Sequence, residues 1–235
     1  MQIVAFNSSP RDNQTSKTEL ILQKFLGGAR QAGASTETIY LRNHRVEHCL
    51  GCFSCWTNTP GRCIQDDDMT NELLDRFLGA DLVVLATPLY CGNMNARLKA
   101  FIERTLPIYD PAKIDFTQKS DEPQAVLPLR FGRHPRIVAL SIGGFPDPEI
   151  FQFIRPTMQV FYGSYLAAGI YRHSSEFMDV PAFQSKVQQV LAATVQAGVE
   201  VVQQGKVEQN TLATLTQALA PLEEMIALMQ QIWQK

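Results

Sequence analysis

The sequence predicts an α/β fold in which helices cover both faces of a parallel sheet. Short apolar runs of strand length alternate along the chain with longer segments whose apolar residues recur at helical spacing. The clearest runs, 2–7 and 81–87, are apolar at consecutive positions, as strands buried on both faces are. The chain has 235 residues, which is within the range that one core can support.

The first strand, 2–7, ends at Ser8-Ser9-Pro10, because serine and proline there favour a turn. The next segment has the i, i+3, i+4, i+7 pattern of a helix that packs one face on the core, with Leu22, Phe25, Leu26 and Ala29. Gly33 ends this helix, and 35–41 is predicted as the second strand. The cysteine-rich segment 43–66 is predicted to be a loop.

Three consecutive carboxylates, at 66–68, predict the start of another helix, because acidic side chains cap free amides and suit the positive end of the helix dipole. The run 81–87 is the third strand, and 94–105 is the helix after it. From 106 to 135 the pattern is lost, and prolines and polar residues predict a long loop or a subunit-contact excursion.

A fourth strand is predicted at 136–142, a helix at 150–161 and a fifth strand at 166–171, so that residues 1–180 form the sheet domain. The remaining segment, 181–235, has apolar residues at helical spacing and no strand pattern. We expect a C-terminal helical extension that packs on the same domain or on a dimer partner. Its last apolar residues are Leu222, Met225, Leu228, Met229, Ile232 and Trp233.

Composition and charge exclude several classes of protein. The chain is 45% hydrophobic and 19% charged, which is ordinary for a globular domain, and its net charge of −2 gives no reason to expect nucleic-acid binding. No apolar run approaches membrane-spanning length, and the first residues lack the pattern of an export signal. We therefore expect a cytoplasmic protein with reduced thiols and no membrane partner.

Four of the five cysteines, Cys49, Cys52, Cys55 and Cys63, fall within fifteen positions. Thiols crowded in this way bind metal or do redox chemistry. Three cysteines with two residues between each and the next, and a fourth beyond a short loop, favour an iron–sulfur cluster. Zinc usually takes two separated pairs of cysteines. Zinc and unmetallated redox thiols remain as alternatives.

The segment 8–17, between the first strand and the first helix, is rich in hydroxyl and amide groups. Free backbone amides at a helix N-terminus, together with the dipole, bind a phosphate dianion. The segment lacks the glycine pattern of a P-loop or a dinucleotide turn, so a mononucleotide is the expected ligand. The alternative is a capped turn without a ligand. The candidate ligands are Ser9, Arg11, Thr15, Ser16 and Lys17.

Two further loops follow the third and fourth strands, at the sheet edge where open α/β folds bind ligands. Glycines there let the backbone approach a flat ring such as an isoalloxazine, and Tyr90 could flank that ring or only pack. Cys91 either contacts the ring or is a buried structural thiol. The candidates are Thr87, Pro88, Leu89, Tyr90, Cys91, Gly92 and Asn93 in one loop and Ser141, Gly143 and Gly144 in the other.

With these motifs, residues 1–145 resemble the NAD(P)H-dependent FMN reductase-like group of flavodoxin-fold proteins, and within it the iron–sulfur flavoproteins. Segment 8–16 is similar to the family's GSPR-type phosphate loop, although Ser8 stands where glycine is usual. Segment 87–104 is similar to its SPVY-x-G-x-M block. The four cysteines, followed by Asp67-Asp68-Met69, are similar to its compact cysteine motif.

The resemblance implies a flavodoxin-like, doubly wound, five-stranded parallel sheet with bound FMN, a possible [4Fe–4S] cluster on the four cysteines, and a homodimer or homotetramer. The implied activity passes electrons from NAD(P)H, or from a small protein donor, through FMN to a quinone, a flavin or another small acceptor. No side chain is expected to act as an acid or a base, since the cofactor carries the chemistry. The alternative is a non-catalytic electron carrier or a cysteine-based redox sensor.

Overall fold

Five parallel strands form the sheet, and their order confirms the predicted α/β fold. The computed structural model describes residues 1–113 and 127–233, with side chains up to residue 231. The strands are β1 (Gln2–Asn7), β2 (Ser35–Tyr40), β3 (Leu82–Tyr90), β4 (Asn93–Met94), β5 (Arg136–Ile142) and β6 (Leu166–Arg172). The parallel order is β2-β1-β3-β5-β6, and the two-residue β4 pairs antiparallel with the end of β3.

The central strands β1, β3 and β5 are buried on both faces, which explains their apolar runs. Along β1, Ile3 and Ala5 belong to one core cluster, whereas Val4 and Phe6 belong to the other. Along β3, Leu82, Val84 and Ala86 face the first cluster, and Val83 and Leu85 face the second. Alternate side chains of a strand point to opposite faces, so each run supplies two cores.

The helices of the chain fall into two layers on these cores. They are α1 (Lys17–Gln31), α2 (Leu74–Gly79), α3 (Ala96–Glu103), α4 (Ile154–Tyr162), α5 (Gln184–Gln204), α6 (Gln209–Leu215) and α7 (Leu222–Trp233). Buried residues of α1 and α5–α7 share the first cluster, and those of α2–α4 share the second. Within the described residues, no helix is both long and apolar enough to cross a membrane.

Helix α5 packs so closely on α1 that the backbones meet at two glycines. A Cβ added to Gly28 would lie 1.8 Å from the carbonyl oxygen of Val195, and one added to Gly198 would lie 1.9 Å from that of Phe25. Helices α6 and α7 add Leu215 and Met225 to the same core. The apolar side chains predicted at 232 and 233 lie outside the described side chains, and the division of domains at residue 180 stays a prediction.

Three helices begin later than the sequence predicts. The helix predicted from 94 begins at Ala96, because Met94 pairs with β3 and the Asn95 side chain caps the helix by accepting from the Leu98 amide at 3.1 Å. The helix predicted at 66–68 begins with a π-helical turn, Met69–Leu73, that leads into α2. The helix predicted from 150 is preceded by a 3₁₀ turn, Pro148–Phe151, before α4.

The predicted excursion 106–135 is described in part. It leaves the core through a 3₁₀ turn, Leu106–Ile108, and its two ends run side by side, with the Asp110 amide donating to the Pro128 carbonyl at 2.7 Å. The prediction for residues 114–126 lies outside the described residues.

Candidate functional site

A cleft of about 390 Å³ opens at the carboxyl edge of the sheet, where the segments after β1, β3, β5 and β6 meet. This is where parallel sheets of this kind bind their ligands. The residues lining it are Ser9, Arg11, Ser16, Lys17, Thr18, Pro88, Leu89, Tyr90, Ile142, Gly144, Phe145, Ser175 and Glu176.

The segment after β1 holds the N-terminus of α1 against this cleft. Ser16 is the N-cap: its Oγ accepts from the Glu19 amide at 3.1 Å and donates to Ser9 Oγ at 2.9 Å. The Ser9 amide is in turn held by Asn7 Oδ1 at 2.8 Å. Because the first amides of a helix have no partner within it, those of Lys17 and Thr18 are available to an anion.

Both cations of this segment are paired with carboxylates that follow β6. The Arg11 guanidinium lies 4.0 Å from Glu176 Oε1, and Lys17 Nζ lies 2.5 Å from Asp179. These pairs leave the backbone amides and hydroxyl groups as the main donors for a dianion in the cleft. They also join the first loop to the segment after β6.

The segment after β3 is a tight hairpin that presents Tyr90 to the cleft. Cys91 and Gly92 form its turn with φ of +49° and +76°, the combination that a two-residue type I′ turn requires. Tyr90 is 46% exposed and lines the cleft. Cys91 is exposed on the side that faces Phe153, so the expectation of a buried structural thiol at this position is wrong.

The segment after β5 approaches the cleft through glycine. Gly144 lines the cleft, and a Cβ there would lie 2.9 Å from the Glu176 side chain. A Cβ at Gly143 would lie 2.4 Å from Ile150 Cδ1, so the end of the Ile150 side chain would have to shift to admit a larger residue. The Ser141 hydroxyl is buried and has no hydrogen-bond partner among the described residues.

Asn95 joins the first two loops. Its Nδ2 donates to the Ser8 carbonyl at 2.7 Å, and its amide donates to Thr87 Oγ1 at 3.2 Å. The hairpin and the first loop therefore hold each other in place. Asn95 lies inside the segment 87–104 that the sequence analysis selects. Its hydrogen bond to Ser8, 87 positions away, leaves no local pattern in the sequence.

The cleft brings together eight of the predicted residues: Ser9, Arg11, Ser16, Lys17, Pro88, Leu89, Tyr90 and Gly144. The other seven do not line it: Thr15, Thr87, Cys91, Gly92, Asn93, Ser141 and Gly143. Thr15 instead bonds Asp12 Oδ1 at 3.0 Å on the outer side of the loop. The sequence reasoning missed Thr18, Ile142, Phe145, Ser175 and Glu176. Ser175 and Glu176 follow β6, the fifth parallel strand, whose carboxyl end reaches the same sheet edge. This position could have identified them from the sequence.

The four clustered cysteines are free thiols that lie on one exposed loop. Cys52 is exposed, and Cys49, Cys55 and Cys63 are half-buried. Burial raises the pKa of Cys55, and the charges of Cys63, Cys49 and Cys52 raise it further. Among the described residues, no group of three or more His, Cys, Asp or Glu side chains is spaced to hold a single metal ion.

The cysteine loop is fixed to the sheet domain by an aromatic anchor. Trp56 Nε1 donates to the Leu106 carbonyl at 2.9 Å, and its ring lies 5.0 Å from that of Phe53. Phe53 has a φ of +54°, an uncommon value for a residue other than glycine. The loop backbone is therefore held in a defined conformation although its thiols are accessible.

The fold and the cleft together define a flavodoxin-like class of protein. The parallel order β2-β1-β3-β5-β6 becomes 2-1-3-4-5 when only the five parallel strands are numbered, and this is the strand order of that class. Residues 1–121, just over half of the chain, match the family model described as NADPH-dependent FMN reductase. The chain belongs to this family.

Two relatives in sequence agree with this assignment. An iron–sulfur flavoprotein from Methanosarcina thermophila is 34% identical over 106 residues, which cover 45% of this chain and 53% of that protein. A Bacillus subtilis protein, YwqN, named with the NAD(P)H-dependent FMN-containing oxidoreductases, is 28% identical over 149 residues, 60% of this chain and 73% of that one. The chain thus spans about half the length of the first of these relatives.

An FMN-dependent NADH-azoreductase from Bacillus anthracis, solved in complex with FMN, superposes with a TM-score of 0.60. It is 15% identical in sequence, and the superposition covers 86% of this chain and 100% of the other. At this identity the likeness supports the flavodoxin-like fold alone.

Proposed function

We propose that this protein is an FMN-dependent oxidoreductase that takes electrons from NAD(P)H, or from a small protein donor, and passes them to a quinone, a flavin or another small acceptor. The observation that carries the proposal is the cleft at the carboxyl edge of the sheet. It combines a capped helix N-terminus, hydroxyl donors and an exposed tyrosine on a tight hairpin. Membership of the FMN reductase family supports the same ligand.

The residues present fit FMN. The Ser9 and Ser16 hydroxyls and the first amides of α1 would hold the phosphate, since they are donors at the positive end of a helix dipole. Gly144 leaves room at the cleft wall, because a Cβ there would meet Glu176. Pro88, Leu89 and Tyr90 would lie along the ring.

When bound, FMN supplies hydride and single-electron transfer. The side chains of this chain position the cofactor and shape access to it. Tyr90, nearly half exposed, stands at the mouth of the cleft, where it would contact the ring and an incoming substrate. The Arg11–Glu176 and Lys17–Asp179 pairs would hold the cleft walls together without competing for the phosphate. No side chain is assigned as an acid or a base.

We further propose that Cys49, Cys52, Cys55 and Cys63 hold a [4Fe–4S] cluster. Four free thiols on one loop support the assignment, as do relatives named as iron–sulfur flavoproteins. Soft thiolate sulfurs are the ligands that such clusters take. The five free cysteines also support a reducing compartment such as the cytosol.

A homodimer or homotetramer belongs to the same proposal. Three apolar side chains of one face, Phe153, Val160 and Phe161, are exposed on or just before α4, next to the Cys91 hairpin. Exposed apolar side chains grouped in this way mark interaction surfaces. A second copy that packs on this apolar face would lie between the cleft and the cysteine loop.

Anaerobic stopped-flow spectroscopy of the FMN-loaded protein tests the activity. Bleaching of the flavin absorbance on mixing with NADH or NADPH, followed by reoxidation with a quinone, is the expected result. A flavin that neither donor reduces at a useful rate would favour the electron-carrier alternative. The iron and acid-labile sulfide content of anaerobically purified protein tests the cluster separately.

A further inference from the structure

A buried ion pair connects the two ends of the cysteine loop. Arg104, the C-cap of α3, is 2% exposed, and its partner Asp67 is 4% exposed. Arg104 Nη1 donates to Asp67 Oδ2 at 2.7 Å, and Nη2 donates to Asp67 Oδ1 at 2.8 Å. This is the planar, bidentate geometry in which arginine binds a carboxylate most strongly.

The same guanidinium reaches both ends of the loop. Nη1 also donates to the Glu47 carbonyl at 2.9 Å, at the start of the loop, and Nη2 to Thr70 Oγ1 at 2.9 Å, beyond its end. Asp67 completes the connection, because its Oδ2 accepts from the Glu47 amide at 2.9 Å. The four cysteines lie between Glu47 and Asp67, so this cluster of bonds closes the loop that carries them.

Four of the five N–H groups of Arg104 are thus satisfied, and the fifth is not. Nε is buried and has no hydrogen-bond partner among the described residues. A buried donor without a partner is costly, so its presence calls for an acceptor. Burial alone would lower the pKa of Arg104, but the hydrogen bond to Asp67, and then the charge of Cys63, raise it.

We propose that Arg104 is the positioning residue of the cysteine loop: its guanidinium joins the two loop ends through Glu47 and Asp67, and so fixes the segment in which the four cysteines lie. The effect on a cluster rests on the proposed iron–sulfur function, whereas the loop closure does not.

A loop whose ends are fixed has a definite consequence for a cluster held on it. Groups that hold metal ligands in place strengthen metal binding. Arg104 would therefore slow the loss of iron. The Asp67-Asp68-Met69 segment and the segment ending at Arg104 meet at this one ion pair.

The test compares Arg104→Lys with a control, Arg76→Gln. Lysine keeps the charge and the partner of Asp67, but it cannot occupy all the positions of the arginine fork. Arg76 lies on α2 in exposed pairs with Glu37 and Glu72, so its loss removes a charge without touching the loop. Two readouts use the metal-free, reduced protein, and a third uses the reconstituted one.

In the metal-free protein, hydrogen–deuterium exchange of peptides covering 47–67 should be about tenfold faster in Arg104→Lys, because one or two charge-assisted hydrogen bonds are lost. It should be unchanged in Arg76→Gln. Urea unfolding should place the midpoint of Arg104→Lys below that of Arg76→Gln, because the buried bidentate pair with Asp67 is lost. Unchanged exchange, or a midpoint no lower than that of the control, would overturn the loop closure.

In the reconstituted protein, Arg104→Lys should lose iron to a chelator about 10- to 100-fold faster than the parent protein and Arg76→Gln. Equal iron loss in all variants would refute the role toward a cluster. If the parent protein takes up no iron at all, the proposed cluster fails. The exchange and unfolding results then still decide the role of Arg104.

Discussion

Two adjacent glycines of α1 should respond in opposite ways to alanine, because only one of them faces α5. A Cβ at Gly28 would lie 1.8 Å from the Val195 carbonyl oxygen, 1.2 Å inside a 3.0 Å limit that real contacts essentially never cross. The nearest atom to a Cβ at Gly27 is the flexible end of Arg30, at 3.9 Å. The obstacle at Gly28 is backbone, so a whole helix must move.

The expected magnitudes follow from this geometry. Overpacking of a close contact costs about 1–3 kcal/mol, and Gly28→Ala should fall at the upper end. Gly27→Ala should gain about 0.5–1 kcal/mol, the helix propensity difference between glycine and alanine. The two variants should thus differ by about 3–4 kcal/mol, more than about 1 M in urea midpoint at ordinary slopes.

Urea denaturation followed by circular dichroism measures this difference directly. Gly198→Ala, whose Cβ would lie 1.9 Å from the Phe25 carbonyl oxygen, should match Gly28→Ala in sign and size. Equal midpoints for Gly27→Ala and Gly28→Ala would show that α5 does not pack on α1 as described. Such a result would also show that α5 does not support α1, the helix whose N-terminus lines the cleft.

Three further variants test the site and its surroundings. Ser16→Ala should weaken FMN binding about tenfold in a fluorescence titration, and it should cost about 1 kcal/mol of stability because the N-cap of α1 is lost. Thr15 lies outside the cleft, so Thr15→Ala should leave the same titration nearly unchanged. Burial lowers the pKa of His173 to about 4, below its ordinary 6.5, so the protein should lose stability as pH falls from 6.5 toward 4. His173→Gln should therefore flatten this part of a profile of melting temperature against pH. An unaltered slope would contradict the lowered pKa of His173. Cys91→Gly should raise the urea midpoint by the equivalent of about 1 kcal/mol, because glycine adopts the φ of +49° in the hairpin turn without the steric strain of a side chain. A lower midpoint would contradict this strain.

The sequence predicts the sheet well because its signals are local. Consecutive apolar residues such as Val83, Val84 and Leu85 identify a strand buried on both faces, and β3 proved to be the central strand. The loops that follow these strands reach one edge, so Ser9, Ser16 and Tyr90 could be assigned to one site before any coordinates were known.

The remaining features depend on contacts between distant segments. Gly28 and Gly198 are 170 positions apart, and no local pattern shows that their helices meet. Arg104 and Asp67 are 37 positions apart, and their ion pair emerges only from the packing of α3 beside the cysteine loop. Of the two alternatives for Cys91, the exposed thiol excludes the buried one, and the sequence could not show this because the turn forms only when β4 folds back on β3.

The most direct test of the proposed function is a titration of the metal-free protein with FMN and, in parallel, with riboflavin. The two ligands share the ring and differ in the phosphate, so their comparison isolates the donors at the start of α1. We expect one FMN to bind per chain, with riboflavin bound at least about tenfold more weakly, since hydrogen bonds to a charged group are worth about 1.5–3 kcal/mol. Equal affinity for both ligands, or no binding of FMN to the folded protein, would contradict the assignment of this cleft.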